Sequence, residues 1–323
     1  MKKITILIPA YREAANLPAL HRALSDIVAS MEADGRRYDW EFLVVNDGSP
    51  DDTLEVARRL RETDPRVSVL SLTRNFGKEN AMLAGMDYAS GDCVVFIDAD
   101  LQDPVSLIPQ MIEAWEEGYD DVYGQRRTRG RESWLRKRLT LTYYNLLQRS
   151  TRINVLRNVG DFRLLDRRAV ETMRNLRETQ RYTKGLFSWI GYRKKALLFD
   201  RDDRAGGKSS FSLWSLFNLA IEGITGFTTA PLRFASVVGI IVSLVAFGYL
   251  MFVLAKTIFF GEVVRGYPTM LCVILFLGGC QLLCLGIIGE YIGRIFNETK
   301  RRPPYVADTF NGEKVTHQIN SQK

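Results

Sequence analysis

Two carboxylates follow an apolar run in the first third of the chain. Residues 94–97 are apolar and largely β-branched, and Asp98 and Asp100 come next. Such a run predicts a strand buried on both faces, whose pairing ends by Pro104. Asp98 and Asp100 would then lie at the carboxyl end of a central strand, where open α/β sheets bind ligands. Hard oxygen ligands suit Mg²⁺ or Mn²⁺ carrying a diphosphate. An acidic turn that merely ends a strand fits the spacing equally well.

The composition narrows the class of partner. The chain has 323 residues, a net charge of +7 and 46% hydrophobic residues, enough for about two domains with real cores. The basic charge favours an anionic partner: nucleic acid, anionic lipid or a phosphorylated substrate. His21 and His317 are the only histidines in the sequence, which argues against a histidine-based triad or metal cage. No CxxC motif occurs, so neither a zinc site nor a disulfide framework is indicated.

Strands alternating with helices must position the two carboxylates. A polar loop at residues 9–13 follows the first strand, and turn-forming residues 46–53 follow the second. Asn16 and Pro18 suit the N-cap and first turn of a helix that runs to Glu32. This alternation predicts an α/β fold with a parallel, doubly wound sheet. The predicted strands are residues 3–8, 41–45, 67–72 and 93–97, and a second helix is predicted over residues 77–89.

A basic run follows this α/β pattern. Seven Arg and Lys residues fall between Arg126 and Arg138, opposed by Glu132 alone. Such a run is most often a solvated face, but it also suits phosphate or anionic lipid headgroups. A polar turn ending in Asp161 and a flexible polar loop over residues 201–210 come later in the chain.

The last third of the sequence is apolar. Residues 211–227 predict an interfacial helix, and residues 235–258 and 270–288 predict two transmembrane helices. Basic residues precede the first span and follow the second, so the positive-inside rule places both termini and the catalytic domain in the cytoplasm. The predicted domains are 1–210 (catalytic), 211–233 (interfacial), 234–295 (transmembrane) and 296–323 (cytosolic tail). We expect the tail beyond Pro303 to be loosely ordered.

Several motifs occur together in order. They are residues 8–13 (IPAYRE), 45–49 (VNDGS), 73–78 (TRNFGK), 98–104 (DADLQDP), 160–164 (GDFRL) and 285–294 (LGIIGEYIGR). With the paired apolar segments, this set closely resembles the bacterial bactoprenol glucosyltransferases. These are polyprenyl-phosphate glycosyltransferases related to dolichol-phosphate mannose synthase. The resemblance covers nearly the whole chain, with one departure: Arg12 stands where the family usually has asparagine.

The resemblance implies a GT-A fold and an inverting transfer of a sugar, most often glucose from UDP-glucose, to undecaprenyl phosphate. The product would be a lipid-linked sugar donor for O-antigen or cell-envelope modification, made at the inner membrane by a multi-pass protein. Relatives suggest a homotetramer. The implied catalytic residues are Asp98, Asp100, Asp161 and Arg126. The residues implied to bind the donor are Pro9, Tyr11, Glu13, Asp47, Asp98, Arg204, Lys208 and Ser209. The residues implied to bind the acceptor phosphate are Arg126, Arg136, Lys137 and Arg138. Asp100 and Gln102 match the residues that hold Mg²⁺ or Mn²⁺.

Some of these roles have alternatives. Asp47 could instead cap a turn, and Asp161 could contact the sugar, steady an acceptor arginine or form a structural cap. Arg74 and Lys78 could be structural ion-pair formers or line the nucleotide pocket. An acceptor that is already an anionic phosphate needs no strong general base; it needs cations that hold it in line with the anomeric carbon.

Other functions compete with this hypothesis. N-acetylglucosamine, galactose and 4-amino-arabinose derivatives are alternative sugars. A processive polysaccharide synthase would carry more spans and a QxxRW segment, which residues 180–184 do not supply. A non-catalytic membrane scaffold that binds sugar nucleotides is the alternative outside enzymes. A nucleic-acid binder is disfavoured, because the basic residues lie beside membrane segments and not among aromatic platforms.

Overall fold

The computed structural model describes residues 1–127, 159–179, 181–199, 230–260 and 266–316. The chain forms two compact units. Residues 1–211 together with 302–323 make the α/β unit, and residues 212–301 make the helical unit. Two separate stretches of chain therefore build the α/β unit, with the helical unit inserted between them.

The first hundred residues alternate between strand and helix, as predicted. The elements are β1 (Lys3–Ala10), α1 (Leu17–Ala33), β2 (Asp39–Asn46), α2 (Thr53–Thr63), β3 (Val67–Leu72), α3 (Lys78–Tyr88) and β4 (Cys93–Phe96). β1 pairs in parallel with β2 and β4, and β2 pairs in parallel with β3. Asn16 stands at the N-cap of α1 without a side-chain cap hydrogen bond, and Pro18 occupies the first turn.

The later elements make the sheet mixed. They are α4 (Ile108–Glu116, after a 3₁₀ turn at Val105–Leu107), β5 (Asp121–Arg126), β6 (Val159–Asp166), α5 (Arg167–Asn175), α6 (Thr183–Trp189) and β7 (Lys194–Phe199). β6 lies between β4 and β5 and is antiparallel to both. The predicted parallel sheet is therefore found in β1–β4, and the prediction was wrong for the insertion of β6. Its pattern came from residues 1–97, and periodicity alone does not give the direction in which a later strand joins a sheet.

The central strands are buried on both faces. Each residue of β4 is at most 1% exposed, as expected for a strand covered by helices on both sides. α3 packs closely on β1, since a Cβ at Gly85 would lie 2.5 Å from a methyl carbon of Leu7. This close contact fixes the position of α3, whose first residue is Lys78.

The segment after the helical unit returns to the sheet. β8 (Ala307–Phe310) pairs antiparallel with β3, and β9 (Glu313–Lys314) pairs with β8. Tyr305 is fully buried, and its hydroxyl lies 2.7 Å from a carboxylate oxygen of Asp87 on α3. The expectation of a loosely ordered tail was wrong for residues 305–316, because β3 offers an unpaired edge and α3 offers a buried carboxylate. Within the described residues, the sheet order is β7-β5-β6-β4-β1-β2-β3-β8-β9.

The helical unit contains two long helices, α7 (Ala230–Phe260) and α8 (Tyr267–Thr299). The two helices contact one another, and the Cys284 thiol lies 3.9 Å from the Ala235 carbonyl oxygen. In α8, Phe276–Thr299 is long and apolar enough to cross a membrane; in α7, the apolar stretch Ala235–Tyr249 is shorter. One candidate span is thus found within the described residues, where two were predicted. The predicted interfacial helix, 211–227, lies outside them.

Candidate active site

A cavity of about 250 Å³ opens at the carboxyl ends of β1, β2 and β4. All the residues predicted to bind the sugar donor that the structure describes line this cavity: Pro9, Tyr11, Glu13, Asp47 and Asp98. Asp100 lines it as well. Further lining residues come from the loop before α3 and from α3 itself, among them Asn75, Gly77 and Lys78. The structure therefore collects residues from four separate segments of sequence at one edge of the sheet.

Asp47 holds one wall of this cavity. Its two carboxylate oxygens accept hydrogen bonds from the backbone N–H groups of Phe76 (2.7 Å) and Gly77 (2.9 Å). Burial raises the pKa of Asp47, and these hydrogen bonds oppose the rise. The neighbouring Gly48 has a φ of +58°, and a Cβ there would lie 2.2 Å from the backbone of Arg74. Asp47 therefore caps the loop before α3, which is one of its two predicted roles. Its contact with a nucleotide stays a prediction.

The first motif also lines the cavity, through Pro9, Tyr11 and Glu13. Glu13 accepts a hydrogen bond from the Asn16 side-chain amide at 2.6 Å, and its backbone N–H donates to the Thr53 hydroxyl at 2.9 Å. Arg12 has a φ of 61°. Asparagine enters this left-handed region much more readily than arginine does. The local backbone thus favours asparagine over arginine at this position and makes Arg12 a source of strain.

Lys78 connects two carboxylates from different strands. Its ammonium nitrogen lies 2.6 Å from Asp98 and 2.7 Å from Asp161. β4 and β6 pair with Phe96 opposite Arg163; extended by two residues, this antiparallel register would set Asp98 opposite Asp161. Like charges directly opposite one another are destabilising, so the lysine between them neutralises a repulsion that the strand register creates.

The ionisation of these groups follows from the arrangement. Burial alone would raise the pKa of Asp161, but the charges of Lys78 and Lys184 outweigh it and hold the pKa below its ordinary value. Burial alone would lower the pKa of Lys78, but Asp161 and Asp98 outweigh it and raise the pKa. Both groups are therefore charged at neutral pH. The sequence suggested that Lys78 forms an ion pair or lines the pocket, and it does both.

Asp100 lines the cavity, and Gln102 follows it two residues later in the chain. A carboxylate oxygen of Asp100 accepts a hydrogen bond from the Gln102 backbone N–H at 3.1 Å. Leu101 between them has a φ of 59°. The side-chain oxygen of Gln102 is buried and has no hydrogen-bond partner. A buried carbonyl oxygen without a donor suits a bound cation. Among the described residues, no three His, Cys, Asp or Glu side chains converge on one metal position.

Arg126 ends β5 beside the start of β6. A guanidinium nitrogen lies 3.9 Å from Asp103, and a Cβ placed on Gly160 would be 3.7 Å from the same nitrogen. Burial and the nearby charge of Asp98 raise the pKa of Asp103 to about 6. Asp103 belongs to the motif at residues 98–104, but nothing local in the sequence links it to Arg126. Six predicted site residues lie outside the described residues: Arg136, Lys137, Arg138, Arg204, Lys208 and Ser209.

A mixed α/β sheet with an acidic cleft at its carboxyl edge is the architecture of the GT-A glycosyltransferases. Comparison with protein-family models gives the same class. The glycosyl transferase family 2 model matches residues 5–174, and the GtrB C-terminal hairpin model matches residues 230–295. The chain belongs to glycosyl transferase family 2, and it is a glycosyltransferase.

Individual relatives cover almost the whole chain. An uncharacterized glycosyltransferase of Synechocystis sp. is 42% identical over 96% of both chains. The bactoprenol glucosyl transferase of Shigella phage SfV is 41% identical over 94% of this chain and 97% of that protein. Glucosyl-3-phosphoglycerate synthase from Mycobacterium tuberculosis, solved with Mn²⁺, UDP-glucose and phosphoglyceric acid, is 23% identical over 69% of this chain and 78% of that one, with a TM-score of 0.45. So distant a likeness carries nothing about ligands.

The backbone strain at Arg12 gives a first prediction. We expect Arg12→Asn to stabilise the protein by up to about 1 kcal/mol, because asparagine tolerates a positive φ better. The measurement is thermal unfolding of the purified chain in detergent. The matched control is Arg12→Ala, which removes the same side chain but keeps the strained conformation. Equal gains from both variants would show that the arginine side chain, and not the backbone, is the source of strain.

The ion pairs of Lys78 give a prediction for pH dependence. In the parent, the lowered pKa of Asp161 contributes stability that is present above the ordinary pKa of 3.8 and lost as pH falls through the folded value. In Lys78→Met, burial raises that pKa, so ionised Asp161 destabilises the fold at neutral pH and protonation relieves it. The melting temperature of Lys78→Met should therefore fall further below the parent at pH 7.5 than at pH 5.

The control for this prediction is Lys195→Met. Lys195 pairs with exposed Glu117 at 2.5 Å, so its loss should give a small deficit that does not change between the two pH values. A pH-independent deficit in Lys78→Met would contradict the argument.

Proposed function

We propose that this glycosyltransferase moves glucose from UDP-glucose to undecaprenyl phosphate, with inversion, at the cytoplasmic face of the membrane. The observation that carries the proposal is the cavity at the carboxyl edge, which is lined by Pro9, Glu13, Asp47, Asp98 and Asp100. Its carboxylates offer acceptors for the hydrogen-bond donors of a nucleoside, and Asp100 offers an oxygen ligand to a cation that carries a diphosphate. The similarity to the Shigella phage bactoprenol glucosyl transferase supports the choice of sugar and acceptor.

The donor would bind along the cavity. The carboxylates of Glu13 and Asp98 are hydrogen-bond acceptors for the base and the ribose. Tyr11 is 40% exposed and offers an aromatic face to the base. Asp47 already accepts two backbone hydrogen bonds, so its contribution is chiefly to hold the wall against which the nucleoside lies. Arg204, Lys208 and Ser209 remain candidates for contact with the diphosphate.

Asp100 and Gln102 would hold the divalent cation. The unpartnered Gln102 oxygen and the half-buried Asp100 carboxylate form a partial ligand set. Mg²⁺ is commonly held by one or two protein groups together with substrate phosphates, so two protein ligands are sufficient. When bound, the cation would neutralise the charge of the departing diphosphate. The fit is to Mg²⁺ or Mn²⁺ in general, because both accept oxygen ligands.

The acceptor side needs cations and not a base. A phosphate monoester is already ionised at neutral pH, so its oxygen can attack the anomeric carbon without giving up a proton to the enzyme. Asp161 is kept ionised by its lysine partners, and we assign it the positioning of those lysines. Arg126, at the start of the basic run, would contribute a bidentate contact to the phosphate.

The connectivity of the chain supports a membrane hairpin. Residues before and after the helical unit belong to the same α/β unit. A segment that begins and ends in one globular unit must cross a bilayer an even number of times. If the apolar segment Phe276–Thr299 of α8 crosses, a second segment of the unit has to cross as well. We assign that crossing to α7, so that both termini lie on one side. The homotetramer suggested by the family resemblance stays a prediction.

The test of the reaction is a panel of donors. Membranes carrying the chain are incubated with undecaprenyl phosphate and labelled UDP-glucose, UDP-galactose or UDP-N-acetylglucosamine, with and without EDTA. We expect lipid-linked sugar from UDP-glucose, its loss in EDTA, and its recovery on adding Mg²⁺ or Mn²⁺. Membranes carrying Asp100→Ala are the matched control and should give at least 100-fold less product, because one of two protein ligands is removed.

The results of this donor panel distinguish the candidate functions. Product from another UDP-sugar would change the donor and keep the reaction class. No lipid-linked sugar from any donor, with nucleotide binding that Asp100→Ala abolishes, would favour a non-catalytic module that binds sugar nucleotides.

The hairpin has its own test. A cysteine placed at residue 262, between α7 and α8, should react with a membrane-impermeant maleimide in right-side-out vesicles, whereas Glu313→Cys in β9 should be protected. Both variants replace a glutamate, and the parent measures the background from native cysteines. Labelling of both positions, or of neither, would contradict the hairpin.

A further inference from the structure

A second lysine lies beside Asp161. Lys184 is the second residue of α6, and its ammonium nitrogen is 3.9 Å from one carboxylate oxygen of Asp161. That oxygen is buried and has no hydrogen-bond partner, although the other oxygen of the same carboxylate is held by Lys78 at 2.7 Å. Lys184 thus attracts the carboxylate through its charge without a hydrogen bond that would fix it.

Lys78 and Lys184 differ in how closely carboxylates of the protein hold their ammonium groups. Lys78 lies within 2.7 Å of two carboxylates, so its charge is used within the protein. The side chain of Lys184 is 43% exposed, and its loose contact with Asp161 leaves donors on the ammonium group for another anion.

The backbone that carries Lys184 is well anchored. The preceding residue, Thr183, donates its N–H to Glu79 at 3.2 Å. Phe187 follows Lys184 by three residues, and its buried ring lies 3.6 Å from the guanidinium carbon of Arg163. α6 is therefore anchored on both sides of Lys184, whereas the Lys184 side chain itself is half-exposed. A fixed backbone with a half-exposed cation is suited to ligand binding, because little order has to be gained on binding.

Arg126 approaches the same end of β6 from the other direction. Its guanidinium lies beside Gly160, close enough for a Cβ there to be in ordinary contact, and Lys184 lies beside the next residue, Asp161. An anion that approaches this corner meets the Lys184 ammonium group and the Arg126 guanidinium, each of which lies 3.9 Å from a carboxylate of the protein. Both distances are longer than a charge-assisted hydrogen bond, so a phosphate can compete for these cations.

We propose that Lys184 binds the phosphate of the lipid acceptor, opposite Arg126, and rests against Asp161 when no acceptor is bound. This proposal rests on the proposed function, since it concerns the acceptor of that reaction. The donor diphosphate has the same chemistry, and the two sources are distinguished by which substrate responds to the loss of Lys184. On binding, the ammonium group exchanges its long contact with Asp161 for a charge-assisted hydrogen bond to a phosphate oxygen.

Kinetics of the full-length chain in membranes test the assignment. In Lys184→Gln, the KM for undecaprenyl phosphate should rise about tenfold, as expected for the loss of one hydrogen bond between charged groups. The KM for UDP-glucose should change less than about twofold. Lys184→Arg keeps the charge and should restore most of the acceptor affinity. Lys195→Gln, on β7 and paired with Glu117, is the matched control and should leave both constants unchanged.

A binding measurement keeps the inference testable if turnover fails. Labelled undecaprenyl phosphate should bind the detergent-solubilised parent about tenfold more tightly than Lys184→Gln, whether or not any UDP-sugar is a substrate. Equal affinity for the acceptor would overturn the proposal while leaving the proposed function intact. A rise in the UDP-glucose KM alone would assign Lys184 to the donor and overturn it. A parallel fall in kcat and thermal stability, with both KM values unchanged, would give Lys184 a structural role and overturn it as well.

Discussion

The ion pairs of Lys78 with Asp98 and Asp161 are the interaction on which the candidate active site depends. The antiparallel pairing of β4 with β6 brings two carboxylates to the same level of the sheet edge. Asp161 cannot stay ionised there at low cost without a cation, because its side chain is only 9% exposed. One ammonium group within 2.7 Å of both carboxylates supplies that cation. Lys78 thus offsets part of the negative charge of an edge that, in our proposal, accepts a negatively charged donor and a negatively charged acceptor.

Contacts with other parts of the fold set the position of Lys78. Asp47 holds the two backbone N–H groups just before the lysine, and Gly85 lets the rest of α3 lie directly on Leu7 of β1. At its far end, α3 is held through Asp87, which lies 2.7 Å from the Tyr305 hydroxyl and 2.6 Å from Arg177. Asp47, Gly85 and Asp87 therefore set where the ammonium group of Lys78 lies.

The return of the chain to the α/β unit after α8 attaches both ends of the helical unit to the same fold. β8 pairs with β3 although more than 230 residues separate them, and such non-local contacts slow folding because a long loop has to close first. Within the described residues one stretch, in α8, is long and apolar enough to cross a membrane, and the apolar stretch of α7 is shorter. The number of crossings in our proposal therefore rests on the connectivity of the chain and not on hydropathy alone.

The sequence by itself determined the α/β alternation, the strands that end at Asp47 and Asp98, and the family. These three features depend on local periodicity, turn-forming residues and the order of motifs, which can be recognised in short stretches of the sequence. Only the tertiary structure decided the antiparallel insertion of β6, the pairing of the tail with β3, and the meeting of Lys78 with Asp161, 83 positions further along the chain. It also decided that Asp47 caps a loop and that Lys184 faces Asp161. Such contacts depend on which strand edges remain unpaired and on which charges burial brings together, and neither quantity exists until the sheet has formed.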